Sequence, residues 1–211
     1  MINFEERLNR ITDLGELDGF ANKRRYFPML EKWTPEELDL ILRHKFYLQK
    51  AEWQLGPKII KAAQAMSAKM GTLKNSMTDG GGNVPAFVGE IIVQKITGAK
   101  HQNTFDYDLI TNAGTRIDVK TTMTSVEPKY DYDCKVSAYY KQNCDWYAFV
   151  RVNYKLDRAW VVGYYPRNDF YKDARHYQAG DPFFAGIDKL YKKECFVMPL
   201  WKLKGKIDEA V

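Results

Sequence analysis

The segment at residues 107–122, YDLITNAGTRIDVKTT, contains two short apolar runs separated by the turn sequence NAG at 112–114. Runs of this kind on either side of a short turn predict a β-hairpin. The two runs also carry Asp108, Asp118 and Lys120. A charged group on a buried strand is costly unless it is paired or binds a metal ion. This stretch is therefore the strongest indication of function in the sequence.

Strand geometry places the charged side chains of this hairpin together. Side chains two residues apart on a strand share a face, so Asp118 and Lys120 point the same way, about 7 Å apart. The turn brings Asp108 close to Asp118 on the neighbouring strand, and strand phase favours Asp108 over Asp106. Glu90, which lies on the helix that precedes the hairpin, can complete the cluster.

Clustered carboxylates indicate a metal site. Oxygen ligands of this kind suit Mg²⁺, which keeps several waters and accepts phosphate oxygens. A bound Mg²⁺ polarises a phosphodiester and generates hydroxide near neutral pH. Lys120 would hold the attacking water, or deprotonate it if burial lowers the lysine pKa, or neutralise the charge of the phosphorane. The alternative is a surface hairpin whose Asp118–Lys120 ion pair contributes about 0–1 kcal/mol.

Helical patterns precede the hairpin, and strand patterns follow it. We expect residues 1–78 to form a helical segment that packs on a core formed by residues 84–211. One helix is predicted from Thr34 to Gly56-Pro57, and a second from Lys58 to about Met70. The glycine-rich stretch 79–83 is expected to be a hinge, since the Gly-Lys-Ser/Thr ending of a phosphate-binding loop is missing.

The core is expected to contain one main helix and a mixed sheet. The helix spans Pro85 to Thr97 and ends at Gly98. Strands are predicted at Asp106–Thr111, Thr115–Thr121, Trp146–Asn153, Arg158–Tyr164 and Cys195–Leu203, a short helix at Asp169–Ala174, and a loop at Asp131–Asp133. The fold class is therefore α/β or α+β, with a central mixed sheet flanked by helices and a helical N-terminal segment.

Composition restricts the class of protein. The chain has 211 residues, of which 45% are apolar and 28% charged, as in a soluble globular protein. We expect no transmembrane helix, no secretory signal and no membrane partner. Three cysteines without a CxxC pair predict a reducing, cytoplasmic location rather than a zinc site. The net charge of +5 and the many tyrosines beside Lys or Arg permit a nucleic-acid partner.

The order of these residues resembles that of the PD-(D/E)xK nuclease superfamily of restriction-like enzymes. The resemblance consists of Glu90 on a helix, Tyr107-Asp108 on a strand, a turn, and Asp118-Val119-Lys120 on the next strand, and it covers about residues 85–152. The tyrosine stands in place of the family's proline. The resemblance implies a restriction-endonuclease-like fold. It also implies that Mg²⁺, or Mn²⁺ as a substitute, is bound by Glu90, Asp108, Asp118 and the carbonyl of Val119, and that Lys120 is the catalytic lysine.

By this resemblance the protein is a bacterial or phage-type deoxyribonuclease, and an endonuclease rather than an exonuclease. Gln142, where several members of the family carry a glutamine, is expected in the DNA groove with Lys135, Tyr139 and Lys141. The histidines are expected to be solvated, although His101 could approach a phosphate. A non-catalytic nucleic-acid-binding module of the same fold is the main alternative, and a structural or assembly protein is a third. RNA as the substrate, and a homodimer that cuts both strands, stay open.

Overall fold

The computed structural model describes residues 35–70, 83–102, 104–183 and 189–207. Four α-helices lie in these ranges: α1 Pro35–Gln49, α2 Pro57–Met70, α3 Asn83–Thr97 and α4 Arg167–Asp173. Nine strands accompany them: β1 Ala51–Gln54, β2 Lys100–His101, β3 Leu109–Ile110, β4 Arg116–Thr124, β5 Asp133–Ser137, β6 Trp146–Asn153, β7 Arg158–Pro166, β8 Arg175–Tyr177 and β9 Cys195–Pro199. A 3-10 turn, Leu200–Lys202, follows β9. The fold is thus mixed α+β, as the sequence predicts.

A six-stranded mixed sheet forms the centre, in the order β1-β7-β6-β4-β3-β2. Strands β4 and β6 run parallel, and the other neighbouring pairs are antiparallel. Strand β6 begins and ends where the sequence predicts, and it is buried except for a partly exposed Arg151. A nearly continuous apolar strand of this kind is typical of a sheet covered on both faces. Helix α3 ends, as predicted, at Gly98, whose φ of 67° is a left-handed conformation.

Two apolar layers cover the faces of this sheet. On one face, α2 and α3 pack on alternate side chains of β4, β6 and β7, with Ile92 and Val150 buried between them. On the other face, α1, α4 and a second sheet of order β5-β9-β8 surround Phe149, Phe170 and Met198. None of the helices in the described ranges is long and apolar enough to cross a bilayer.

The prediction of an unbroken helix up to Gly56-Pro57 is wrong. Helix α1 ends at Gln49, and Ala51–Gln54 forms β1, which pairs antiparallel with β7. The amide of Gln49 ends the helix against the core, since its Nε2 donates to the carbonyl oxygens of Val162 at 2.7 Å and Leu200 at 3.0 Å. Tertiary pairing with β7 therefore overrides a helical pattern of four residues.

The strand predicted at Asp106–Thr111 is shorter in the structure, where only Leu109–Ile110 forms β3. The preceding Asp108 still donates its backbone N–H to the carbonyl of Ile117, at 3.0 Å, and beyond that bond its side chain takes the place of a strand. Its carboxylate oxygen Oδ2 accepts a hydrogen bond from the backbone N–H of Val119, at 2.7 Å. The predicted turn is present, with Gly114 at a φ of 88°.

The second sheet also differs from the sequence prediction. Asp133, expected in a loop, begins β5, because β9 offers it an antiparallel partner at Pro199. The strand predicted to reach Leu203 ends at Pro199 and continues as the 3-10 turn. The chain then crosses β7, where the backbone of Lys204 pairs with that of Tyr164.

Several predictions fall outside the described residues. They are the capping boxes at Asn3–Glu6 and Thr34–Glu37 and the hinge within 79–82. The proposed division between residues 1–78 and 84–211 falls there too, and it stays a prediction. Within the described part, residues 51–54 join the central sheet, so this part of the N-terminal segment belongs to the core.

Helix α3 lies close against β4 because residue 89 is glycine. A Cβ at Gly89 would lie 2.1 Å from the Oγ1 of Thr121 and 3.4 Å from the Cγ1 of Val119. Only the first distance is far shorter than van der Waals contact. The glycine thus sets the depth at which the neighbouring Glu90 enters the structure.

We expect Gly89→Ala to destabilise the protein by about 1–3 kcal/mol, the usual cost of overpacking a core. This cost exceeds the roughly 0.5–1 kcal/mol that alanine contributes over glycine inside a helix. The measurement is urea unfolding of wild type, Gly89→Ala, Thr121→Ala and the double variant, which together form a double-mutant cycle. The Thr121 Oγ1 is buried without a hydrogen-bond partner among the described residues, so its removal should relieve the clash. An equal loss from Gly89→Ala in both backgrounds would contradict this account.

Candidate active site

The structure brings the charged residues of the hairpin together at the edge of β4. Pairing of Leu109 with Ile117 sets Asp108 opposite Asp118. Lys120, one step further along the same face, places its Nζ 2.5 Å from the Oδ2 of Asp118. This oxygen is buried and accepts no hydrogen bond of good geometry from the described residues. The charge of the ammonium is therefore what balances it.

Glu90 approaches the same place from helix α3. Its side chain is buried, although glutamate side chains are ordinarily exposed to solvent. Burial, together with the negative charge of Asp118, raises the pKa of Glu90 from 4.5 to about 8. Near neutral pH, the protonated form of this carboxyl group is therefore favoured.

The pKa of Asp108 is raised as well. Burial is the main cause that raises its pKa well above the ordinary value, and the charges of Asp118 and Glu90 act in the same direction. The hydrogen bond from Val119 and the charge of Lys120 only partly oppose this rise. Three carboxyl groups thus cluster around a single ammonium, and the charge of Asp118 contributes to the raised pKa of both Glu90 and Asp108.

Lys120 keeps its charge in this environment. Burial of the ammonium works to lower the pKa of Lys120, but the charges of Asp118 and Asp108 outweigh it, and the pKa lies above its ordinary value. The idea that burial lowers this pKa enough for the lysine to act as a base is therefore wrong for the metal-free protein. The ammonium also lies 5.7 Å from the centre of the Tyr147 ring, within the range of a cation–π contact.

His101, expected at most to approach a phosphate, belongs to the cluster through a contact with Glu90 that the sequence does not predict. Its Nε2 lies 2.5 Å from the Oε2 of Glu90. Burial lowers the pKa of His101, and because the pKa of Glu90 is raised, a neutral pair is favoured. The contact forms because the short strand β2 follows α3 and pairs with β3. No spacing in the sequence indicates that pair.

The residues expected in a DNA groove divide into two groups. Gln142 is buried beside the cluster, where its Nε2 donates to the carbonyl of Asp106 at 3.0 Å. Tyr139 and Lys141 are exposed on the same loop. Lys135 lies on β5, and none of its described contacts reaches the acidic cluster. Its Nζ lies over the rings of Phe183 and Tyr191 instead.

The loop from residue 138 to 145 is fixed to the start of β4. Arg116 donates from Nη2 to Asp145 Oδ1 at 2.7 Å and from Nε to Asp145 Oδ2 at 3.0 Å. Hydrogen bonding to this guanidinium lowers the pKa of Asp145. The loop also buries Cys144, and burial together with the charge of Asp118 raises the pKa of this thiol to about 12. A thiol of that pKa is not a nucleophile at neutral pH.

The donor atoms of this cluster fit a hard divalent cation. Oxygen ligands are what Mg²⁺ requires, and three carboxyl groups exceed the single charge of Lys120. Within a strand, the N–H and the C=O of one residue point to the same side, so the carbonyl of Val119 faces Asp108. Among the described residues, no group of three or more His, Cys, Asp or Glu side chains is placed so that it could hold a metal ion as it stands. The ion pair of Lys120 with Asp118 holds the oxygen that a cation would use.

Comparison with known proteins does not assign this chain to a family. A scan against models of protein families finds no match, and neither does a search of curated proteins. The function of the cluster must therefore be argued from its own residues.

The raised pKa of Glu90 predicts how stability depends on pH in the absence of metal. The folded state holds this proton more tightly than the unfolded state, so the free energy of unfolding should fall between about pH 4.5 and pH 8. Glu90→Gln keeps the shape without the charge. The stability difference between this variant and wild type should grow with pH up to about 8 and then level off. Urea unfolding in EDTA from pH 5 to 9 measures this difference. Parallel plots of unfolding free energy against pH for the two proteins would refute the prediction.

Proposed function

We propose that this protein is a metal-dependent nuclease that hydrolyses phosphodiester bonds in DNA, built on a restriction-endonuclease-like fold. One observation carries the proposal. Glu90, Asp108 and Asp118 come together with Lys120 in one partly buried cluster, at a sheet edge that β3 leaves uncovered. Strongly perturbed carboxyl groups in one pocket are typical of catalytic sites.

The residues that would hold Mg²⁺ or Mn²⁺ are the three carboxylates and the carbonyl of Val119. When bound, the cation polarises the phosphodiester and supplies hydroxide near neutral pH. The protein contributes a site in which the ligands are already gathered and desolvated. The carboxylates repel one another, and a bound cation would relieve that repulsion in place of the protons. This relief would contribute to the free energy of cation binding.

Lys120 serves this reaction as a positive charge. Its ammonium is directed at the same carboxylate oxygen that faces the pocket, so it can orient a water molecule or a phosphate oxygen. In the transition state, negative charge grows on the phosphoryl oxygens, and a fixed cation stabilises it. The Tyr147 ring and the carboxylate of Asp118 hold the ammonium in place.

His101 acts on the site through Glu90. With its ring beside Oε2, the histidine fixes the orientation of the carboxyl group. It is therefore a positioning residue.

The main alternative is a nucleic-acid-binding module without catalysis. The charged pocket disfavours it, because binding to phosphates needs cations and gains nothing from three buried acids. A third class, a structural protein without affinity for nucleic acid, is kept open by the modest charge of +5. DNA rather than RNA, endonucleolytic cleavage and a cytoplasmic location are parts of the proposal that the sequence alone suggests, and a homodimer stays open.

We expect Asp118→Ala and Lys120→Ala each to reduce Mg²⁺-dependent cleavage by at least about 100-fold, because each removes a charge that acts in the transition state. The assay is cleavage of plasmid and single-stranded DNA, with Mg²⁺ or with EDTA. Circular dichroism must show the variants folded, and Lys172→Ala, an exposed lysine on α4, is the matched control. Undiminished cleavage by both site variants would remove the proposal. Salt-sensitive binding without turnover would favour the binding module, and no affinity would favour a structural protein.

Divalent cations should stabilise the folded protein through the same residues. A cation at ten times its dissociation constant stabilises the folded state by about 1.4 kcal/mol. We therefore expect Mg²⁺ or Mn²⁺ to raise the Tm of wild type, and Asp108→Asn to abolish most of that gain. In metal-free buffer the same variant should be no less stable than wild type, since it removes a repelling charge. An equal rise in Tm for both proteins would place the cation elsewhere.

A further inference from the structure

Two exposed aromatic side chains stand beside the acidic pocket. Phe105 is 79% exposed, the largest value among the large apolar side chains in the described part of the chain. Tyr139, on the loop that precedes β6, is 41% exposed. Their ring centres lie 5.6 Å apart, and the rings meet edge to face at 88°. The two rings come from different loops and form one small aromatic surface.

The loop that carries Phe105 is held in place by hydrogen bonds. Thr104 Oγ1 donates to the carbonyl of Tyr107 at 2.6 Å and accepts from the N–H of the same residue at 3.0 Å. Between them, the carbonyl of Asp106 accepts from Gln142 Nε2. The phenyl ring is thus presented to solvent by an ordered loop. One exposed apolar ring is ordinary, but two that touch, on ordered loops, form a contiguous patch of the kind that marks interaction sites.

The aromatic surface is connected to the acidic cluster and Lys120 through short chain segments and side-chain contacts. Phe105 is three residues from Asp108, a distance of at most about 10 Å along an extended chain. Tyr139 is likewise three residues from Gln142, whose Oε1 accepts from Tyr147 at 3.4 Å. The ring of that tyrosine lies under Lys120. Both loops therefore adjoin residues of the acidic cluster, and the aromatic surface would lie near a phosphate bound there.

We infer that the Phe105 ring, supported edge to face by Tyr139, is a stacking platform for an unpaired base of the substrate strand. The inference rests on the proposed function and names its substrate class, which is DNA with unpaired nucleotides beside the bond that is cut. Bases stack on exposed aromatic rings whatever their identity, and Lys141, exposed next to the platform, supplies charge for the backbone. In intact duplex both faces of a base are already stacked, so a duplex cannot use the platform.

The test compares Phe105→Ala with Phe105→Trp, which keeps a stacking ring. The matched control is Tyr154→Ala, a 66% exposed aromatic on the turn at the far end of β6. Binding is measured by fluorescence of single-stranded and blunt duplex oligonucleotides that carry 2-aminopurine, in Ca²⁺ without Mg²⁺. Loss of one base–ring stack weakens binding roughly 5- to 150-fold. We expect that loss for Phe105→Ala on the single strand alone, with Phe105→Trp and the control within about twofold of wild type.

The outcomes separate this inference from the proposed function. If Phe105→Ala binds single strands as wild type does, if it loses duplex affinity equally, or if wild type does not bind single strands, the platform is refuted. Cleavage by wild type in Mg²⁺ is scored separately. Selective loss of single-strand binding without any wild-type cleavage would keep the platform and remove the nuclease.

Discussion

The uncovered edge of β4 is the constraint on which the rest of this structure depends. Strand β6 pairs with β4 along eight consecutive positions, whereas β3 pairs with only two. A buried backbone N–H without a partner is costly, so the edge beyond β3 needs another acceptor. The carboxylate of Asp108 supplies it for Val119. Because a side chain takes the place of a strand, the edge stays open, and Asp108 before β3, Asp118 on β4 and Glu90 on α3 come together there.

That open space is held at a cost in stability. Three carboxyl groups beside one ammonium destabilise the folded state. Burial and repulsion between the carboxylates raise the pKa values of Glu90 and Asp108, so their charged forms are unfavourable in the fold. Protonation relieves the repulsion in the absence of a cation, and the pair of Glu90 with His101 shows where one such proton resides. Pockets of this kind persist where the charge is needed for binding or reaction. Gly89 contributes to the same end, because it admits α3 close enough for its neighbour to reach the pocket.

The sequence predicts those features that depend on local chemistry. Strand β6, helix α3 with its terminal Gly98, and the turn at Gly114 follow from apolar patterning and from residues that tolerate left-handed backbone. The features it misses depend on partners distant along the chain. Strand β1 exists because β7 offers an edge, β5 because β9 does, and the contact of His101 with Glu90 because a strand of two residues pairs with β3. Strand phase places Asp108, Asp118 and Lys120 on one face, but it does not indicate the direction of the lysine pKa, which results from the balance between burial and the neighbouring charges.

The crossing at Gly163 has a consequence for how the chain folds. A Cβ there would lie 2.6 Å from the Cβ of Leu203, so the C-terminal segment passes directly over β7, and Gln49 is hydrogen-bonded to the carbonyls of both Val162 and Leu200. The core on this face therefore closes only when residues about 150 positions apart have met. During translation, that closure must wait until the ribosome has released the segment around Lys204. Long-range closure of this kind is slow, so we expect this face of the core to be completed late in folding.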